Sequence, residues 1–315
     1  MKTLDWNTLS DDEKRALKNK KELVFLVGPV HMSKKRIQEI ASEYSPLLFG
    51  CLKDDEIPGL EGSVQFTPLE EAFMSKVLKR AADSAERLAG MKHFHKDAKY
   101  IIRELKPKKV LFVNGSWKGQ IHYTSMYWEA VNNYIKVELI SPFASDLEAK
   151  SWERKASIDI TTLYKKTKKY TDKELLEIAH QVSKASWDWI GQVGAVLARN
   201  GRILSLGYNR VVPYQAYQMH FGSIRERLFT PAQEMIETQM TNHAECEILE
   251  TVRREKINLK NSTLYINMFP CPVCAKMLAR SEILGIVYSH DHNLEHDFGY
   301  KCLLACGKKL KRIVK

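Results

Sequence analysis

The sequence predicts an α/β protein of two halves, and three observations carry that prediction. Short apolar runs alternate with amphipathic helical stretches through the first half. An Asn-Gly dipeptide separates two apolar runs in the second half. Strand and helix patterns then alternate to the C-terminus. Strands interleaved with helices argue for a mainly parallel, helix-covered sheet. The chain has 315 residues, long enough for two ordinary domains. Their boundary is expected near 165–170, giving domains 1–168 and 169–315.

In the first half, "ELVFLVGPV" (22–30) reads as a buried strand ending in a Gly-Pro turn. "SKKRIQEIASEY" (33–44) follows with helical periodicity. Residues 69–89 have apolar positions three and four apart and predict one long amphipathic helix. "KKVLFVNG" (108–115) and "KVELISPF" (136–143) predict further buried strands, with a helix over 125–135 between them. A charged stretch, roughly 145–172, leads to the second half. There, 172–190 predicts a helix, and 192–199 and 202–209 predict a hairpin closed by Asn200-Gly201. A polar loop, the "HAECEILETVRRE" helix, the strand "TLYINMF", the "CPVCAKMLARS" helix, the strand "GIVYSH" and a helix near 297–307 complete the order.

Composition is that of a globular protein, with 44% hydrophobic and 28% charged residues. No apolar run approaches the roughly 20 residues that span a bilayer, and the charged N-terminus lacks a signal-peptide core. A cytoplasmic protein with no membrane partner is expected. In that reducing setting the six cysteines read as metal ligands or redox groups before disulfides. The formal net charge of +11 suits an anionic partner, a nucleotide or a nucleic acid, or else a lysine-rich solvated surface.

The chemistry concentrates in two places. His243 and Glu245 open one predicted helix, and Cys271 and Cys274 open another behind Pro270. One imidazole and two thiolates are a catalytic zinc set, with the fourth position left for water. The helix N-terminus and the ion both favour the thiolate. Glu245, two residues from His243, is near the ion yet free to act on water, whose pKa zinc lowers from 15.7 to ~7. Alone, Cys-x-x-Cys reads equally as a redox or structural zinc motif. Together with His-x-Glu, in this order, it matches the zinc nucleobase deaminase signature.

The stretch from about 190 to 310 resembles the deoxycytidylate deaminase branch of the cytidine deaminase superfamily. "VGAVLARNGRILSLGYNR", "PCPVCAKMLARSEILGIVYSH" and "FGYKCLLACGKKLKRI" carry the resemblance. It implies a C-terminal α/β/α sandwich, Zn2+ on His243, Cys271 and Cys274, and Glu245 as proton shuttle. Asn209 would contact the sugar or phosphate of the substrate. Arg210 stands where the family usually has glycine, which reshapes the nucleotide loop or adds a phosphate contact. The stretch 211–240 also departs from the compact family loop. The implied reaction is hydrolytic deamination of a deoxycytidine nucleotide, dCMP or dCTP, in a homo-oligomer. The alternative is a deaminase of cytosine or adenine in RNA or single-stranded DNA, motivated by the charge and by Tyr214, Tyr217, Phe221 and Phe229. A third reading makes the zinc purely structural, but such a site has no use for Glu245.

"GPVHMSKK" (28–35) resembles a degenerate phosphate loop of a nucleotide kinase. Gly28 and Lys34 occupy two required positions and are candidate phosphate-binding residues. Ser33 and Lys35 replace the second glycine and the magnesium-binding hydroxyl, so phosphoryl transfer is not expected. A decayed or interaction domain is the competing account of this half. Finally, His290, His292 and His296 with Cys246, Cys302 and Cys306 raise a second metal site, against which stands ordinary packing.

Overall fold

The computed structural model describes residues 2–28, 30–81, 88–229, 239–291 and 296–314. The chain divides into two compact units, Met1–Ala156 with Ala216–Glu234, and Ser157–Gln215 with Met235–Lys315. A single boundary at 168/169 groups Ala216–Glu234 with the second unit; the structure packs it with the first.

The first unit runs β1 (Lys2–Asp5), α1 (Asp11–Lys18), β2 (Val24–Val27), α2 (Lys34–Glu43), β3 (Leu47–Leu52) and α3 (Glu71–Ala81). It continues through β4 (Leu88–His93), α4 (Ala98–Leu105), β5 (Lys109–Val113), α5 (Ser125–Asn132), β6 (Lys136–Ile140) and α6 (Asp146–Ala156). The sheet order is β1-β4-β3-β2-β5-β6, and every ladder is parallel. The apolar runs explain this. Val24–Val27 and Val110–Val113 are buried at every position, as a strand covered on both faces requires. The chain builds outward from β2 to β3 and β4, then crosses back to β5 and β6. The β2/β5 boundary is thus the topological switch point of a doubly wound sheet.

One expectation is corrected here. The helix expected over 69–89 stops at Ala81 among the described residues, and Leu88–His93 is a strand. That strand is hydrogen-bonded on both sides, to β1 and β3. These distant partners override a helical period that continued through Leu88. The charged stretch 145–172 holds helix α6 and a 3-10 turn at Ile160–Leu163.

The second unit begins with α7 (Asp172–Ser183), shorter than the predicted 172–190. A capping box between Thr171 and Glu174 starts it. It continues with β7 (Gly194–Arg199), β8 (Arg202–Tyr208) and β9 (Arg210–Val211). The chain then enters the first unit as the short helices α8 (Tyr217–Phe221) and α9 (Ile224–Leu228). It returns as β10 (Thr241–Asn242), α10 (Ala244–Glu255), β11 (Thr263–Met268), α11 (Pro272–Arg280), β12 (Gly285–His290), α12 (His296–Ala305) and β13 (Lys309–Arg312). The sheet order is β13-β12-β11-β7-β8, with β7 antiparallel to β8 and β11 and the other ladders parallel.

Strand alternation builds the expected three layers. Ala195, Leu197, Leu264, Ile266, Ile286 and Tyr288 face α10, α11 and α12. Val196, Ala198, Tyr265 and Val287 face α7. The hairpin turn has Asn200 at φ 52° and Gly201 at φ 76°, the pair of left-handed residues a two-residue turn needs. Gly194 lets α7 approach β7 closely: a Cβ there would lie 2.1 Å from the Ala179 carbonyl oxygen.

Candidate active site

The site forms where two helices begin. His243 is the N-cap of α10, fed by β10. Cys271 is the N-cap of α11, three residues past the end of the central strand β11, and Pro272 starts the helix. His243 Nδ1 lies 3.5 Å from Cys271 Sγ and 3.3 Å from Cys274 Sγ. Zinc–sulfur and zinc–nitrogen bonds of about 2.3 and 2.0 Å imply tetrahedral edges of about 3.5 Å. The three donor atoms, all within 4.8 Å of one another, therefore fit the ion that the sequence assigns. The Cys274 amide also donates to Cys271 Sγ, stabilising a thiolate at the positive helix end.

The electrostatics agree. With no ion present, hydrogen bonding to the Cys271 sulfur pushes His243 up to about 9. The Cys274 hydrogen bond drives Cys271 down to about 4. Glu245 is only 3% exposed, and burial pushes its carboxyl up to about 7. It sits two residues past His243 on the first turn of α10, beside the donor cluster.

Two neighbours carry no signal in the motif. His243 Nε2 bonds the Gln239 side-chain oxygen, which leaves Nδ1 as the lone-pair nitrogen. Cys246 lies one turn along α10, and the donor set is formed by His243, Cys271 and Cys274.

The rim has its own order. Arg210 pairs across the β9–β10 ladder with Asn242, the residue before His243. Its guanidinium lies over the Tyr208 ring at 5.3 Å and pairs with Glu247 at 3.4 Å. Asn242 donates to the same Glu247 carboxylate at 2.6 Å. Glu247 was legible only as a position one helical turn past His243.

Asn209 is 4% exposed, and its amide is engaged by protein. Its oxygen accepts from Val193 N at 2.7 Å and its nitrogen donates to Gly191 O at 2.7 Å. The structure places it as the clasp of loop 186–193. In the first unit, Gly28 has φ 37° and Lys34 is exposed on the first turn of α2. Between them, Val30 N donates to Ser116 Oγ, His31 N to Thr67 O and Ser33 N to Pro142 O. Those amides already serve protein acceptors.

Of the residues raised for a second metal site, His290 Nδ1 lies 3.0 Å from both Asn267 O and Ser289 Oγ. His292 and the His296 side chain lie outside the described residues. Among the described residues, the one metal-compatible group of this kind is His243, Cys271 and Cys274. Also among them, no helix is long and apolar enough to cross a membrane.

The layered fold and the buried His243, Cys271 and Cys274 set with Glu245 beside it agree with a zinc-binding domain of deaminase type in the C-terminal half of the chain. More particularly, residues 169–290 match the cytidine and deoxycytidylate deaminase zinc-binding region, which the C-terminal half of the chain carries. Deoxycytidylate deaminase of Enterobacteria phage T4 is 28% identical, over 38% of this chain and 77% of its own. That of Schizosaccharomyces pombe is 24% identical, over 54% of this chain and 52% of its own. Among solved structures, the dCMP deaminase of cyanophage S-TIM5 aligns at 21% identity with a TM-score of 0.34, covering 45% of this chain and 96% of that one.

Proposed function

We propose that the protein deaminates a deoxycytidine nucleotide, dCMP or dCTP, to the deoxyuridine nucleotide and ammonia. The observation that carries the reading is the buried Glu245 carboxyl beside the His243, Cys271 and Cys274 donor set. The naming of the phage T4 and S. pombe relatives as deoxycytidylate deaminases supports the choice of base and sugar. When bound, zinc supplies Lewis acidity that lets water ionise near neutral pH.

The chain's own residues do the rest. Glu245, raised to about 7, exchanges a proton near physiological pH, where a general acid–base is most effective. It accepts the proton that the attacking water loses and delivers it to ring N3 of cytosine. Once the C4–O bond has formed, Glu245 carries the remaining hydroxyl proton to the amino nitrogen, the C4–N bond breaks, and ammonia leaves as C4 becomes the uracil carbonyl. Burial of Glu245 keeps bulk water from short-circuiting this transfer. Arg210, half exposed at the rim and held by Glu247, presents a cation to the substrate phosphate.

Ammonia release should be measured with zinc-loaded protein on deoxycytidine, dCMP, dCTP and a cytosine-containing single-stranded oligonucleotide. Turnover of dCMP or dCTP well above the nucleoside is expected. Turnover of the oligonucleotide alone would replace this reading with a nucleic-acid deaminase.

A further inference from the structure

The connection between β9 and β10 goes out of the zinc-bearing unit and comes back to it. Its middle packs as part of the first unit. That packing falls at the carboxyl ends of β5 and β6, beside the switch point, where an open α/β sheet ordinarily takes a ligand. Asn114, the first residue after β5, donates its amide to Met219 O at 3.1 Å. Met219 is fully buried, and a Cβ on Gly115 would lie 3.1 Å from its terminal methyl. After β6, Ser141 Oγ lies 2.8 Å from His220 Nδ1. Glu226, 2% exposed, accepts from Trp117 Nε1 at 2.9 Å and from the Ile121 amide at 2.7 Å. Phe229 stacks on the His122 ring at 5.0 Å. A buried carboxylate reading two buried donors is an expensive arrangement unless it fixes a conformation.

The two ends of the same connection are tied down near the donor cluster. Val212 N donates to Met240 O at 2.9 Å, extending the ladder that sets Arg210 opposite Asn242. Gln239, on the returning end, bonds His243.

We infer that the first unit uses its ligand edge as a dock for a segment of this same chain, with Glu226 as the residue that fixes the segment there. The occupant of the edge is this chain's own segment 216–229, and the degenerate loop at Gly28 follows from that use. No phosphate cradle is needed where the crevice already holds protein.

The test is hydrogen exchange on the zinc protein. Glu226→Ala removes the buried carboxylate to which Trp117 Nε1 and the Ile121 amide donate, so protected amides over 216–229 should exchange at least about 100-fold faster. Glu226→Gln keeps an acceptor oxygen and should rescue most of this effect. If Glu226→Ala does not fold, Ser141→Ala, which removes only the hydroxyl beside His220, should give the same pattern in smaller measure. Unchanged exchange in folded Glu226→Ala would overturn the inference. So would faster exchange over 216–229 on adding ATP, because the edge would then be a nucleotide site. The exchange readout needs no substrate, so it stands apart from the choice of dCMP as substrate.

Discussion

Replacing Gln239 by leucine isolates what holds the imidazole. In the structure His243 presents Nδ1 to two sulfurs at 3.3 and 3.5 Å, and the Gln239 oxygen receives the proton on Nε2. Leucine has similar bulk and no acceptor. The ring then loses its preferred tautomer and its orientation, and the zinc affinity bears both losses. Removing such an outer partner typically weakens metal binding 10–100-fold, about 1.4–2.8 kcal/mol. Competition with a chromophoric chelator at fixed pH measures this directly. Gln239→Glu retains an acceptor and should bind zinc as well as the parent or better. A zinc Kd for Gln239→Leu within about twofold of the parent would show that Cys271 and Cys274 orient the ring alone, and the reasoning would fail.

Four other outcomes follow from the same geometry. Glu245→Gln should keep its zinc, by elemental analysis, and lose about 10²–10⁴ in kcat; near-parental turnover would remove the proton shuttle. Arg210→Gln should raise KM for dCMP about tenfold and leave deoxycytidine untouched, and Glu247→Gln should act in the same direction; equal effects on nucleotide and nucleoside would count against a phosphate contact. Burial holds His31 down at about 4 against its ordinary 6.5, so the unfolded chain binds the extra proton between those values. Stability from this group is therefore complete above pH 6.5 and is lost as pH falls toward 4, by about 3 kcal/mol at most; urea melts of His31→Gln should lack that acid limb. Gly194→Ala would put a methyl against the α7 backbone and should destabilise the chain by about 3 kcal/mol, read as a lower urea midpoint.

Much of the zinc-bearing unit was legible because its signals are local. Asn200-Gly201 closes a two-residue turn whatever surrounds it. The His-x-Glu and Cys-x-x-Cys spacings become helix starts because each follows a strand and precedes an apolar helical period. The rest depends on partners far along the chain. Leu88–His93 carries Gly90 and Lys92 inside a buried strand, a weak pattern decided by β1 and β3. Leu47–Leu52 is similarly short, with Gly50 in its middle, and passed unnoticed until its pairing with β2 and β4. Asn209 sits in a family-like motif, but only coordinates reveal that its amide is occupied by Val193 and Gly191. Gln239 and Glu226 belong to no pattern; each acquires a role from a side chain it meets after folding.

The route of the chain has a practical consequence for anyone wishing to isolate its C-terminal half. A fragment that starts at residue 169 would retain Met219, which folding buries completely, and Glu226 without the indole that Trp117 offers it. Such an excised piece would turn apolar side chains that the intact chain buries out to solvent. Shortening the excursion between Val212 and Gln239 keeps both the Val212 N to Met240 O bond and the acceptor that His243 meets.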